Sequence, residues 1–162
     1  MQTWIESNMP KQEIRKLDFM VGEFTSWQTM FPTTGAAPVQ YRSVVRAERE
    51  GCDRFLRLEQ FSDVPGIGLV STTALYGYNR RDNVYECYGF SSAHEEPLRM
   101  RGDWQDGQLV LTSEPVSGYA GLDRIRQTLI PKEEDRWDFL EERWNLSGFS
   151  KHVVGTYLAC PV

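Results

Sequence analysis

Histidine is scarce in this chain, with only His94 and His152 among 162 residues, and cysteine is limited to Cys52, Cys87 and Cys160. An odd number of cysteines without paired spacing argues against a disulfide framework and a zinc site, with one pair still able to meet in space. Two histidines far apart in sequence make no metal site without added carboxylates. No apolar run approaches the roughly 18 residues of a membrane-spanning helix. Residues Met1 to Asn8 carry neither the basic nor the apolar segment of a secretory signal, which makes a reducing cytoplasm the expected location. Walker loops, dinucleotide fingerprints, serine nucleophile elbows and zincin helices are all missing, as are internal repeats, low-complexity tracts and linkers. The net charge of −5 argues against a polyanionic partner, since nucleic-acid binding rests on neutralising phosphates. Arg42, Arg46, Arg49, Arg54 and Arg57 do form a basic stretch, but strand alternation turns Arg42 and Arg46 toward water on one face.

What is present points to a sheet protein with one core. The length suits one domain over residues 1–162, and a chain of this size buries roughly 70% of its unfolded surface. Aromatic residues reach 12%, with five Trp, seven Tyr and eight Phe, and such residues fit pleated, half-buried surfaces. A short helix is expected over about residues 10 to 21. Pro10 suits its first turn, Ile14, Leu17 and Val21 form one apolar stripe, and Gly22 ends it. So short a helix needs packing to hold it, as a plug at a barrel end would have. From Gly22 onward the hydrophobic period is two. Strands are expected over residues 24–31, 39–50, 54–61, 69–79, 84–91, 98–104, 108–114, 122–130, 137–144 and 149–158. Short turns separate them, Asp106-Gly107 being the strongest hairpin signal, and links this short force antiparallel neighbours. Ten meandering strands in an open sheet leave two exposed edges, whereas closing the sheet removes both and makes its inside the core. The fold class is therefore all-β, a closed antiparallel barrel over about residues 23–158. That is a size at which a ligand cavity can form.

The run Leu17-Asp18-Phe19-Met20-Val21-Gly22-Glu23-Phe24 delivers Gly-x-aromatic into the first strand. It resembles the opening of lipocalin-like barrels, which carry Gly-x-Trp at the barrel base. Three further segments, Asp53-Arg54-Phe55-Leu56, Tyr76-Gly77-Tyr78-Asn79 with Tyr85, and Arg101-Gly102-Asp103-Trp104, are similar to a bacterial lipocalin-like family of unknown function. The likeness spans nearly the whole chain, with Phe24 standing where the family has Trp, and it implies the fold rather than the function. The last strand, Lys151-His152-Val153-Val154-Gly155-Thr156-Tyr157, is similar to that of nitrobindin-type haem barrels. This second resemblance implies His152 as the axial haem ligand. The chain departs from that pattern at Thr25-Ser26-Trp27-Gln28, where nitrobindins are Gly-rich, and at Asn145 to Ser150, where they approach the His through Pro.

His152 is the first candidate site residue, either as an inward imidazole acting as ligand or acid–base, or as a hydrogen-bonded strand histidine. His94 falls in the loop Ser91 to Pro97 and is expected to be solvated. Alternation puts Leu98, Met100, Gly102 and Trp104 on one face, Val84, Glu86, Tyr88 and Phe90 on another, and Met30 in phase with Phe24. The ligand-binding set read from these faces is Met30, Tyr88, Phe90, Met100, Trp104 and His152, since Met and flat aromatics suit an apolar or aromatic ligand. Glu141 and Glu142 point to opposite faces and form no dyad. The inward one needs a partner, for which Arg124 or Arg126 is in reach. The expected function is binding of a small hydrophobic or aromatic molecule, as carrier or sensor, by a monomer or homodimer with no cofactor. The alternative is an enzyme on the same scaffold, either a haem barrel using His152 or a cyclase or isomerase using His152 or Glu141. A third reading is a structural barrel filled by its own side chains.

Overall fold

The computed structural model describes residues 11–116, 124–133, 135–145 and 148–161. A helix, α1 (Lys11–Arg15), is followed by a 3-10 turn at Asp18–Met20. The strands among the described residues are β1 (Gly22–Met30), β2 (Val39–Glu50), β3 (Phe55–Val64), β4 (Gly68–Asn79) and β5 (Val84–Ser91). They continue with β6 (Leu98–Gln105), β7 (Gln108–Ser113), β8 (Arg124–Pro131), β9 (Arg136–Asn145) and β10 (Gly148–Ala159). Each strand pairs antiparallel with the next, and β10 returns to pair with β1, closing the barrel. The meander and its closure match the reading from periodicity and turn chemistry, with strand boundaries shifted by up to three residues, while Pro10 and residues 122–123 of the expected elements lie outside the described residues. At the β6–β7 hairpin Asp106 and Gly107 both adopt positive φ, 49° and 77°, the backbone an Asp-Gly type I′ turn requires.

Alternate residues of every strand point into the barrel. On β1 these are Phe24, Ser26 and Gln28; on β2, Tyr41, Ser43, Val45 and Ala47; on β7, Leu109, Leu111 and Ser113. Arg42 and Arg46 face water, as alternation requires. One end of the barrel is plugged. The helical segment was expected to run unbroken to Val21. Instead α1 stops at Arg15 and the chain tightens into the 3-10 turn, where residues repeat every three. The buried stripe is thus Ile14, Leu17 and Met20, all fully buried, while Val21 turns outward. The Tyr85 hydroxyl donates to the Glu13 carbonyl at 2.9 Å, and Arg49 pairs with Asp18 at 3.3 Å, fastening the plug. Beneath it Phe19 meets Trp104 and Trp137 edge-on, and Tyr85 meets Trp104, filling the closed end with rings.

Gly102, within the Arg-Gly-Asp-Trp segment, marks a close approach of strands β6 and β7. A Cβ placed there would lie 1.8 Å from the Val110 carbonyl oxygen, a backbone atom that cannot swing away. Gly102→Ala is expected to destabilise the fold by about 3 kcal/mol or more, as overpacking against rigid structure does. Gly89→Ala, whose Cβ would meet Leu98 at an ordinary 3.8 Å, should change little. Urea denaturation of the two variants compares them directly.

Candidate ligand cavity

Above the plug the barrel interior is open. A cavity of about 380 Å³ lies between two apolar clusters, within the range of small-molecule sites. The lower cluster contains the plug, Leu58, Met100, Leu129, Trp137 and Tyr157; the upper contains Tyr41, Val64 and Val153, with Met30, Val70 and Phe139 packed against it. The floor is a stacked pair: Trp137 and Tyr157 lie 3.8 Å apart and 1° from parallel, with Phe24 and Phe139 edge-on to one or the other. The Trp137 indole N–H is buried and meets no acceptor among the described residues.

The walls differ in chemistry. From β4 to β9 the lining combines an apolar set, Val70, Ala74, Leu98, Met100, Ile125, Leu129 and Phe139, with the polar Thr72, Gln127, Glu141 and Arg143. Across β10, β1, β2 and β3 runs a hydrogen-bonded belt. Gln28 donates to Tyr157 and, at 3.2 Å, to Ser26; Tyr157 donates to Gln60 at 3.0 Å; Gln60 donates to Ser62 at 3.0 Å; and Ser62 shares a 2.7 Å bond with Ser43. Gly155 leaves room for the belt, since a Cβ there would come 2.9 Å from Gln28 Cγ. Burial raises the Tyr157 and Tyr41 hydroxyls far above their ordinary value, with Glu141 adding to both, so both stay neutral and Tyr157 keeps the proton it donates to Gln60. Burial also pushes the Cys87 thiol up to about 12, which leaves it inert as a nucleophile.

His152 reaches the cavity through a β-bulge. Lys151 pairs with Glu142 and Val153 with Glu141, so His152 is the extra residue in β10. Regular alternation would put His152 and Val153 on opposite faces, yet both line the cavity. The bulge is held by Phe31, whose N–H donates to the His152 carbonyl at 2.7 Å and whose carbonyl lies 3.2 Å from His152 Nδ1. Around His152 at the mouth stand His94, Glu141 and Arg143. Burial, then the positive field of Arg143, hold both histidines below their ordinary 6.5, against the opposing field of Glu141. They are neutral at physiological pH. Among the described residues no group of three or more His, Cys, Asp or Glu gathers to hold a metal ion, and no helix is long and apolar enough to cross a membrane.

The structure treats the candidates read from sequence unequally. Met30, Met100, His152 and Glu141 line the cavity, and Phe90 joins at the rim while half-exposed. Tyr88 is displaced from its expected place. Cys87 pairs with both Tyr76 and Met100, so Tyr85 and Cys87 occupy the inner face of β5 and Tyr88 faces outward, its ring under Arg99. Alternation defines two faces of a strand but not which is inner. Trp104 does point inward, but it lies in the ring cluster of the closed end rather than in the cavity lining. The partner of Glu141 is Gln127, which donates to it at 2.9 Å, while Arg126 pairs at 2.8 Å with the outward Glu142. Arg124 faces water. His94, expected in solvent, is exposed but folds over the rim beside His152. The polar belt and Arg143 were missed. Gln28 shares the parity of Phe24 and Met30, which is the only signal in sequence that the belt has.

No protein-family model matches the chain, and no curated protein matches it significantly. Solved structures do match in fold. The crystal structure of Rv2717c from M. tuberculosis aligns with a TM-score of 0.67 at 14% identity, covering 92% of this chain and 98% of that one. The S-type phycobiliprotein lyase CPES from Guillardia theta aligns with a TM-score of 0.65 at 10% identity, covering 99% of each chain. Both likenesses run almost end to end, and the chain has the lipocalin-like barrel fold.

A histidine that binds its proton less readily when folded stabilises the protein fully above its unfolded pKa and loses that contribution as pH falls below it. Unfolding midpoints in urea are therefore expected to drop as pH is lowered from about 7.5 to about 5.5. His152→Gln should flatten the drop, and the more exposed His94 should contribute less to it.

Proposed function

We propose that this protein binds a small, largely apolar or aromatic molecule inside the barrel, as a carrier or sensor. The cavity between the two apolar clusters carries the reading: the barrel is plugged below, walled on one side by Met and aliphatic side chains, and open above. A stacked Trp137–Tyr157 pair at its floor suits a flat ring. A barrel filled by its own side chains leaves no such space. A phycobiliprotein lyase built on the same fold is a precedent for a small-molecule task on this scaffold. Native mass spectrometry of the purified protein, followed by titration with fluorescent aromatic probes, tests the reading. Binding in the micromolar range or tighter is expected. Val70→Trp, which narrows the space near the mouth, should weaken it at least about tenfold while leaving the thermal midpoint nearly unchanged. Retention of probe affinity in that variant places the probe outside the barrel and overturns the reading.

A second reading has its own observation. His152 offers a neutral imidazole whose Nδ1 is engaged by the Phe31 carbonyl, the outer hydrogen bond that orients metal-bound histidines. His152 would hold haem iron through its other ring nitrogen, with Met30 and Phe139 supplying apolar surroundings. Bound haem would supply the redox and ligand-binding chemistry of its iron. Added hemin should then give a sharp Soret band that His152→Ala abolishes. Protein that stays without a Soret band in excess hemin overturns this reading and leaves the first untouched.

A further inference from the structure

The inner face of β9 reads from bottom to top of the cavity. Trp137 forms the floor, Phe139 the wall, then come Glu141 and finally Arg143 beside the two rim histidines. At about 3.3 Å per residue the strand runs roughly 20 Å from Trp137 to Arg143, which at the usual barrel tilt of about 35–45° is a rise of roughly 15 Å. Apolar binding surface thus lies at the bottom and a cation at the top. Arg143 is 7% exposed, whereas Arg124 and Arg136 face water and Arg126 pairs on the outer surface of the barrel. A guanidinium keeps its charge at any relevant pH, and its planar fork matches a carboxylate. Its field reaches both His94 and His152, the rim residues that flank the mouth. Two carboxylates share the lining. Glu141 already accepts from Gln127 and exerts its field on Tyr41 and Tyr157 below, and Glu96 is exposed at the rim.

We infer that the cavity takes an amphiphilic acid: a flat apolar body seated on the Trp137–Tyr157 pair, with a terminal carboxylate held at the mouth by Arg143. This rests on the small-molecule reading above and adds the class of ligand. The length of the climb along β9 suits an extended molecule rather than a compact one, with its acid group at the exposed end. A charge-assisted pair in so buried a place separates an acid from its neutral analogue by about ten- to a hundredfold.

The test uses two fluorescent probes that differ only at the end group, 1-pyrenebutyric acid and 1-pyrenebutanol, titrated into the whole protein at neutral pH. The expected result is at least a tenfold preference for the acid in the wild type. Arg143→Met should reduce that preference to near unity, and Arg143→Lys should keep part of it. Because removing a buried arginine can unfold the barrel, near-ultraviolet circular dichroism accompanies each variant. Should Arg143→Met lose its fold, the wild-type preference and its partial loss in Arg143→Lys decide. Equal affinity for the two probes in the wild type, or a preference that survives in Arg143→Met, overturns the inference while the cavity reading stands. Binding of neither probe overturns both.

Discussion

The pairing of β10 with β1 is the constraint from which the rest follows. Seven cross-strand pairs, from Phe24 with Ala159 to Met30 with Val153, convert a ribbon of hairpins into a closed barrel. Until that seam forms, each strand has two faces and two neighbours at most, and nothing separates inside from outside. Once it forms, Phe24, Gln28, Tyr157 and Val153 are committed inward together, and every other strand inherits its parity through the ladder. Closure also removes the sheet edges that would otherwise invite association.

The seam is where the barrel departs from regularity. The extra residue in β10 breaks alternation at His152 and brings its ring to the mouth, and the backbone groups freed by the bulge pair with Phe31. A few residues along, Gly155 opens space for the Gln28 side chain, and the belt from Ser26 through Tyr157 to Ser43 crosses the seam. Burying these amides and hydroxyls is tolerable because Gln28, Tyr157 and Gln60 each donate to an acceptor within the belt. The polar wall, the bulge and the closing strand pair are one structural unit. The opposite wall, β4 to β8, is mainly apolar, with Thr72 and Gln127 among its lining residues.

Much of this was legible in the residues. Period-two patterning, Asp106-Gly107 and the short links implied an antiparallel meander, and Gly22 ending a short apolar helix implied a plugged end. Met30, Met100 and His152 were placed at the cavity in advance. Tyr88 departs from the expected place because alternation is symmetric between faces and β5 carries aromatics on both: Tyr85 inward, Tyr88 outward, and Phe90 on the outward parity but reaching the rim. Trp104 was assigned the correct face but the wrong height, since nothing local tells how far up the barrel a side chain sits. Arg126 was offered as partner to an inward glutamate, but the ladder pairs it with Glu142 on the outer face, and Gln127 is the inward neighbour.

The sequence by itself determined the strands, their order and their antiparallel succession, because hydrophobic period and turn chemistry are properties of neighbouring residues. Tertiary structure alone decided which face is inner, how the space between plug and mouth is left unfilled, and which polar groups meet there. His94, Glu141, Arg143 and His152 come from a loop and two strands, and only closure and a single bulge bring them to one rim. Their shared field, and the neutrality of the two histidines within it, belong to that meeting and to no segment taken alone.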